Sequence, residues 1–467
     1  MARLSLKPLV GAVLVSLCAM PAYALNLLEA YQAAKQNDPT YRAAMAEHQA
    51  GQKNDELAVA GLLPQVSASL YRGKTVGVRL QPGFTGRITQ SDLDYDSKNY
   101  GIQLRQSLFD WRKVSEFRQG RARVSYSDAV FAAKSNELAI RVAGAYFDTL
   151  LAQNTLSLLD ARVRAYEEQL VRAENLYRAG DGTVTDMDEA RARRDIAIAQ
   201  RYEAQDRLKV ALRSLQELTG AVPDALHILG DEFPLSAPVP ATLEEWVDVA
   251  RQNSPDIRAG EHALEIAARE VDKARAGHLP TVDMIGSLSK TVSDTVSTLN
   301  QENRTRSIGV QVSIPIFSGG YSWALSDQTL AKREQARQEL EAARHRVELD
   351  ITRYFTASLS GVSKVRGYEQ AVKSSERALH STKMGFTAGL RTNVDILNAE
   401  EQLFQARRDL AEARYQYLVS TLRLRASAGV LVEDDIARLN GFLAGATAAK
   451  AETTAPAATV TKADKKS

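Results

Sequence analysis

Residue types able to carry chemistry are thinly spread along this chain. Six histidines, His48, His227, His262, His278, His345 and His380, stand apart, and no His-Glu-x-x-His spacing sets two imidazoles on one helical face around a metal. There is no nucleophile elbow and no glycine-rich phosphate loop. The acidic run at 180–189, Gly-Asp-Gly-Thr-Val-Thr-Asp-Met-Asp-Glu, lacks the alternating ligands and central glycine of a calcium loop. The expectation is therefore no enzyme, no cofactor and no bound metal. What remains is charge gathered in two short stretches, one holding Thr185 and Asp186, the other Arg391, Asp395 and Asn398. By themselves these read as solvated charges at the ends of helices.

The elements that position them are related. Tyr177 to Glu189 aligns with Phe386 to Asn398 at a constant offset of 209 residues, so that Gly180 meets Gly389, Thr183 meets Thr392 and Asp186 meets Asp395. Recurrence at a period near half the chain marks an internal duplication. Gly180 and Gly389 sit where a helix end needs a left-handed residue, and the threonines that follow are placed to cap the next helix. Both stretches are expected to be tips of helical hairpins.

The chain has 467 residues, a quarter of them charged, and a net charge of +2, so no nucleic acid or other polyanion is indicated as a partner. Arg3 and Lys7 precede an apolar run at 9–20, and Ala22-Tyr23-Ala24 is a small-x-small cleavage site. Residues 1–24 read as a secretory signal peptide, too short in its apolar part to span a bilayer. The only cysteine, Cys18, lies in the part removed, and Leu17 before it is bulky for a lipid-attachment site. No later stretch is apolar enough for a transmembrane helix.

Beyond the signal, the chain divides into a first repeat at 25–222, a proline-rich connector at 223–241, a second repeat at 242–430, and a C-terminal region at 431–467 ending in an Ala/Thr/Lys tail whose composition cannot bury a core. Each repeat opens with a short helix, then a second helix announced by Asp38-Pro39 or Ser254-Pro255, where Asp38 and Ser254 are good cap residues. After Pro64 and Pro280 the pattern changes to period two, predicting hairpins at 65–109 and 281–317, with Ile308, Val310, Val312, Ile314 and Ile316 alternating against polar residues. Long polar loops, with Gly83, Gly86 and Asp92 in one copy and Ser293, Asn300, Asn303 and Arg304 in the other, are expected between the strands. Proline-free helical stretches follow at 110–177 and 319–386, each reaching roughly 100 Å at the helical rise. Returning helices are placed at 185–220 and 393–429. Leu156, Leu159, Val163, Tyr166, Leu170, Ala173 and Tyr177, like Ile396, Ala399, Leu403, Ala406, Leu410, Ala413 and Tyr417, keep a three-four spacing that predicts a coiled-coil seam.

The fold class expected is thus mainly α with β, internally duplicated, with long coiled-coil helices and four strands per chain. Four strands cannot close on themselves, and open edges are intolerable in lipid. Sharing among chains solves this, and a trimer would make a twelve-stranded barrel wide enough for an open lumen.

The order of these elements in two copies, the Gln-Asn-Asp-Pro and Gln-Asn-Ser-Pro pair, Leu-Pro before each first strand, Ile-Pro-Ile-Phe-Ser-Gly-Gly at 314–320, and Phe-Thr-Ala-Gly-Leu-Arg-Thr-Asn-Val-Asp-Ile-Leu at 386–397 resemble the TolC family of outer-membrane channel-tunnels. The resemblance covers nearly all of the chain after the signal. It implies a homotrimer whose β-barrel stands in outer-membrane lipid of a Gram-negative cell and whose α-helical barrel reaches into the periplasm. Its implied partners are a periplasmic adaptor and an inner-membrane ABC or proton-driven transporter, in type I protein secretion or efflux.

The resemblance also implies a gate at the periplasmic tips. By position Arg391 matches the gate arginine, Thr185 and Asp186 match its partners on the other hairpin, and Asp395 matches an aspartate lining the constriction. Phe386 stands where the family has a tyrosine, and Asn398 where a second aspartate ring would lie, leaving one carboxylate ring. Threefold symmetry would set three Asp395 side chains together, a ring that favours cations. The competing reading is a soluble periplasmic coiled-coil adaptor or scaffold, which would have no use for hairpins with one apolar face.

Overall fold

In a computed structural model, the structure describes residues 24–83, 86–230, 233–293 and 295–448. Most of the expected signal segment and the end of the expected tail lie outside them. In chain order the elements are β1 (Ala24–Leu25), α1 (Leu27–Asn37), α2 (Pro39–Ala60), β2 (Gln65–Pro82), β3 (Ile88–Phe109), α3 (Trp111–Ala179), α4 (Val184–Thr219) and β4 (Ala225–Leu229), followed by α5 (Leu243–Asn253), α6 (Pro255–Arg275), β5 (Thr281–Val292), β6 (Glu302–Ser313), α7 (Tyr321–Thr387), α8 (Asn393–Ser427), α9 (Glu433–Asn440) and β7 (Leu443–Ala448).

Two helices dominate: α3 has 69 residues and α7 has 67, each about 100 Å long at 1.5 Å per residue. Neither contains proline, and each packs along its returning partner, α3 on α4 and α7 on α8. On the α4 side of the first pair, Ala190, Ala197 and Ala204 recur every seven residues and are buried. Small side chains at that spacing let the two axes approach closely. The predicted seam is buried at Leu159, Val163, Tyr166, Leu170 and Ala173 on α3 and at Ile396, Leu403, Ala406, Ala413 and Tyr417 on α8, while Tyr177 is exposed.

The main core lies partway along the rods, where α1, α9 and β4 pack against α3, α4 and α8. Fully buried Tyr146 donates its hydroxyl to the carbonyls of Leu25 at 3.1 Å and His227 at 2.8 Å, tying β1 and β4 to α3. Trp246 of α5 anchors a second cluster with Ile257, Ile351 and Leu424.

Several details differ from the sequence expectation. The connector is not only a linker, because β4 within it pairs in parallel with β1 and antiparallel with β7, forming a three-stranded sheet from three distant stretches. The C-terminal region likewise contains α9 and β7. Asp38 caps α2, accepting from the amides of Thr40 and Tyr41, but Ser254 gives α6 no side-chain cap and its hydroxyl is buried without a partner. Ile314 and Ile316 lie past the end of β6. The expected long loops are shorter: Asp92 is in β3 opposite Val78, and Asn303 and Arg304 are in β6 opposite Thr291 and Lys290. Backbone pairing evidently carries those polar residues further up the strands than composition suggests.

The larger sheet is antiparallel throughout, in the order β2-β3-β5-β6, with β2 and β6 as open edges. Opposite residues share a face, so the register sorts the side chains. One face carries Val66, Leu70, Ile102, Leu104, Ile308, Val310 and Val312, and most of these are strongly exposed in the single chain. The other is polar, with Ser287 bonded to Ser307 and Ser289 to Thr305, both at 2.7 Å, and Arg105 reaching Asp283 at 2.6 Å. No helix among the described residues is long and apolar enough to cross a membrane.

Candidate functional site: the helical hairpin tips

The two tips are built alike, and their residues explain why. At the end of α3, Gly180 takes φ 84°, and the amide of Asp181 returns to the carbonyl of Leu176 at 3.0 Å. At the end of α7, Gly389 takes φ 73°, and the amide of Leu390 returns to the carbonyl of Gly385 at 2.9 Å. A left-handed residue followed by that long backward bond is a Schellman stop, and glycine adopts it without a Cβ penalty.

Each chain then restarts through a capping box. Thr183 accepts from the amide of Asp186, whose carboxylate accepts from the Thr183 amide at 3.3 Å and hydroxyl at 2.6 Å. Thr392 and Asp395 repeat the arrangement at 2.8 and 3.0 Å. Two aspartates that the sequence marks as gate residues therefore also hold the first turns of α4 and α8. The Thr392 amide and hydroxyl hold the Asp395 carboxyl below the usual carboxylate range, with Arg391 adding in the same direction.

Within one protomer Arg391 pairs with Asp395 of its own tip, at 4.0 Å, and its side chain is exposed. Among the described residues, Thr185 and Asp186 are not brought to it; Thr185 is exposed on the first turn of α4. Phe386 is half-buried near the end of α7. Asn398 does join the two hairpins: its Oδ1 accepts from Arg193 of α4 at 2.8 Å, and Arg193 also contacts Glu189 at 3.2 Å. On the second hairpin, Lys383 of α7 pairs with the buried Glu400 of α8 at 2.9 Å.

A stronger link lies further from the tips and was not singled out in the sequence. Arg162 of α3 pairs with Glu401 of α8, donates to Gln200 of α4 at 3.0 Å, and lies over the Phe404 ring at 4.7 Å. Its side chain is only 9% exposed, against 39% for Glu401. Buried Tyr166 donates to the same Glu401 at 3.1 Å, and burial pushes its hydroxyl pKa up. Three helices thus meet on one guanidinium. The available signal was position: Arg162 adjoins Val163 of the seam, a flank where charges choose the partner helix. Among the described residues no cluster of three or more His, Cys, Asp or Glu could hold a metal ion.

Comparison with known proteins gives this architecture relatives. Residues 30–221 and 246–430, the two repeats, match the family described as outer membrane efflux protein. The alkaline protease secretion protein AprF of Pseudomonas aeruginosa is 36% identical over 432 residues, covering 92% of this chain and 90% of that protein. The proteases secretion protein PrtF of Dickeya chrysanthemi is 32% identical, covering 94% and 96%. In fold, the crystal structure of the outer membrane protein VceC from Vibrio cholerae superposes with a TM-score of 0.74 at 20% identity, over 86% of this chain and 96% of that one. Duplicated hairpins, two-faced sheet and matched repeats together make the chain a member of the outer membrane efflux protein family, the TolC-type channel-tunnels.

Proposed function

We propose that this protein is the outer-membrane exit duct of a three-component export system, receiving cargo from an inner-membrane transporter through a periplasmic adaptor. The observation that carries the reading is the larger sheet, with one apolar face left uncovered, one polar face, and both edges open. Lipid accommodates the first, water the second, and only neighbouring copies satisfy the third. Three copies supply twelve strands, and the paired rods continue the wall into the periplasm. Relatives named for protease secretion favour protein cargo in type I secretion, with efflux of small molecules as the related duty. A soluble adaptor would leave the apolar face without an environment.

At the inner end Arg391, Thr185 and Asp186 serve as a latch between hairpins of the assembled trimer, and Asp395 forms the single carboxylate ring. Asn398, engaged with Arg193, stands where a second aspartate ring would lie, and Phe386 stands where the family has a tyrosine. The exposed, long Arg391–Asp395 pair suits a latch, since such contacts contribute at most about 1 kcal/mol and yield readily to a partner.

The test is threefold on one preparation. The protein should require detergent for extraction, run as a heat-modifiable oligomer, and conduct ions across a planar bilayer; deletion should stop export of a protease to the medium. A monomer released by salt alone that passes no current would end this reading.

A further inference from the structure

We propose that a belt of basic side chains on the outer face of the sheet binds phosphate groups carried by the acylated sugar lipid of the outer leaflet. The inference rests on the sheet standing in the outer membrane as proposed above. Strand register defines the belt. Leu70 lies opposite Tyr100, Tyr100 opposite Lys290, and Lys290 opposite Arg304; one pair higher, Arg72 lies opposite Lys98, and one pair lower, Leu288 lies opposite Arg306. All these residues share the face that carries Val66, Ile102, Leu104, Ile308, Val310 and Val312. Followed away from the helices, each strand therefore leaves its apolar run and meets Arg72, Lys98, Lys290 or the pair Arg306 and Arg304.

The steps run in one direction from β2 to β6, as expected where strands tilt by roughly 35–45° and a level boundary cuts the rows obliquely. The lower limit of the apolar band steps the same way, from Pro64 through Phe109 and Pro280 to Ile316. Opposite the helical end, this boundary is the outer one.

At the height of the belt, charge is confined to that face. At the same height the polar face presents Asn99, Ser289, Thr291, Asn303 and Thr305, all uncharged. A belt serving cargo in the lumen would point the other way. Part of the charge is already answered, Arg72 by Asp96 at 3.3 Å and both Lys290 and Arg304 by Glu302 at 3.1 and 2.6 Å. Exposed Arg306 and half-buried Lys98 have no acidic partner among the described ion pairs, so the belt keeps a positive surplus directed at the bilayer. Guanidinium and ammonium groups beside an apolar wall suit a phosphate whose acyl chains lie against that wall.

The experiment uses the full-length protein in detergent, exposed to diphosphoryl lipid A, its monophosphoryl form, phosphatidylcholine or inorganic phosphate, with retained lipid counted by native mass spectrometry. The variant is K98Q/K290Q/R304Q/R306Q. Diphosphoryl lipid A should be retained most strongly and lose about tenfold in affinity in the variant, allowing for the two positions already paired with Glu302. Planar-bilayer conductance and the heat-modifiable oligomer should be unchanged, which separates this inference from the duct itself. Equal retention of lipid A by variant and parent, equal retention of phosphatidylcholine, or displacement of lipid A by millimolar inorganic phosphate would each overturn it. A parent protein that neither assembles nor conducts would instead overturn the reading on which it rests.

Discussion

Replacing Arg162 with Met should loosen α8 from the first hairpin without unfolding either. The side chain supplies charged contacts to Glu401 and Gln200 and a cation over the Phe404 ring. Hydrogen bonds to a charged group contribute about 1.5–3 kcal/mol each, and the ring contact about 0.5–1 kcal/mol. Because Glu401 is 39% exposed, water replaces part of what it loses, and Tyr166 continues to donate to it. The net loss is about 2 kcal/mol, roughly thirtyfold in the ratio of docked to parted hairpins. Hydrogen exchange at the α8 amides between 396 and 404 reads this directly, as a fall in protection of that size with little change at α1 or in the main core. Glu401→Gln should produce a similar fall, and the double variant should lose less than the sum. Unchanged protection in Arg162→Met, or full additivity with Glu401→Gln, would show that the guanidinium does not join the helices.

Four other outcomes follow from the tips and the core. If the proposed latch holds, Arg391→Ser should raise single-channel conductance in a planar bilayer, and an unaltered conductance would remove Arg391 from the proposed gate. Asp395 has a folded pKa below its unfolded value, so its capping contribution is complete above the ordinary carboxylate range and is lost only as pH falls through the lowered value; protection of the first turn of α8 should hold to about pH 4 and decline below it, and Asp395→Ala should abolish this dependence. Gly429 has φ 72°, and a Cβ there would lie 2.1 Å from the carbonyl oxygen of Asn253; Gly429→Ala should cost about 3 kcal/mol or more and lower the temperature at which the oligomer dissociates on gels. Asp38→Ala should destabilise by about 3 kcal/mol, since it strands Arg141 and two amides, whereas Ser254→Ala should change thermal stability by less than about 0.5 kcal/mol.

The contrast between Asp38 and Ser254 shows how far sequence reading reaches. Both precede a proline and both have the side chain a cap requires, yet only Asp38 turns its oxygens back to the helix. Cap chemistry sets the opportunity, and tertiary packing decides whether it is taken. The duplication, the strand alternation and the tip turns were legible because each depends on neighbours within a dozen residues: helix stops on glycine, capping boxes on a three-residue spacing, sheet faces on a period of two. The sheet of β1, β4 and β7 was not, because short strands separated by about two hundred residues leave no periodic trace. Arg162 was hidden for a related reason: its neighbours on α3 say only that it flanks a seam, and Glu401 lies on a helix of the other repeat.

Unequal strands give the duplicated chain an asymmetric outer end. Pairing of β3 with β5 stops at Lys98 and Val292, while pairing of β2 with β3 continues from Gly73 and Ser97 to Pro82 and Ile88. That adds about 30 Å of two-stranded ribbon at the usual rise, contributed by the first repeat alone. In the duct proposed above, this spur is the part that an antibody or protease outside the cell should reach first. A peptide grafted at its turn would be displayed to the surroundings while the wall below keeps every backbone pair it needs.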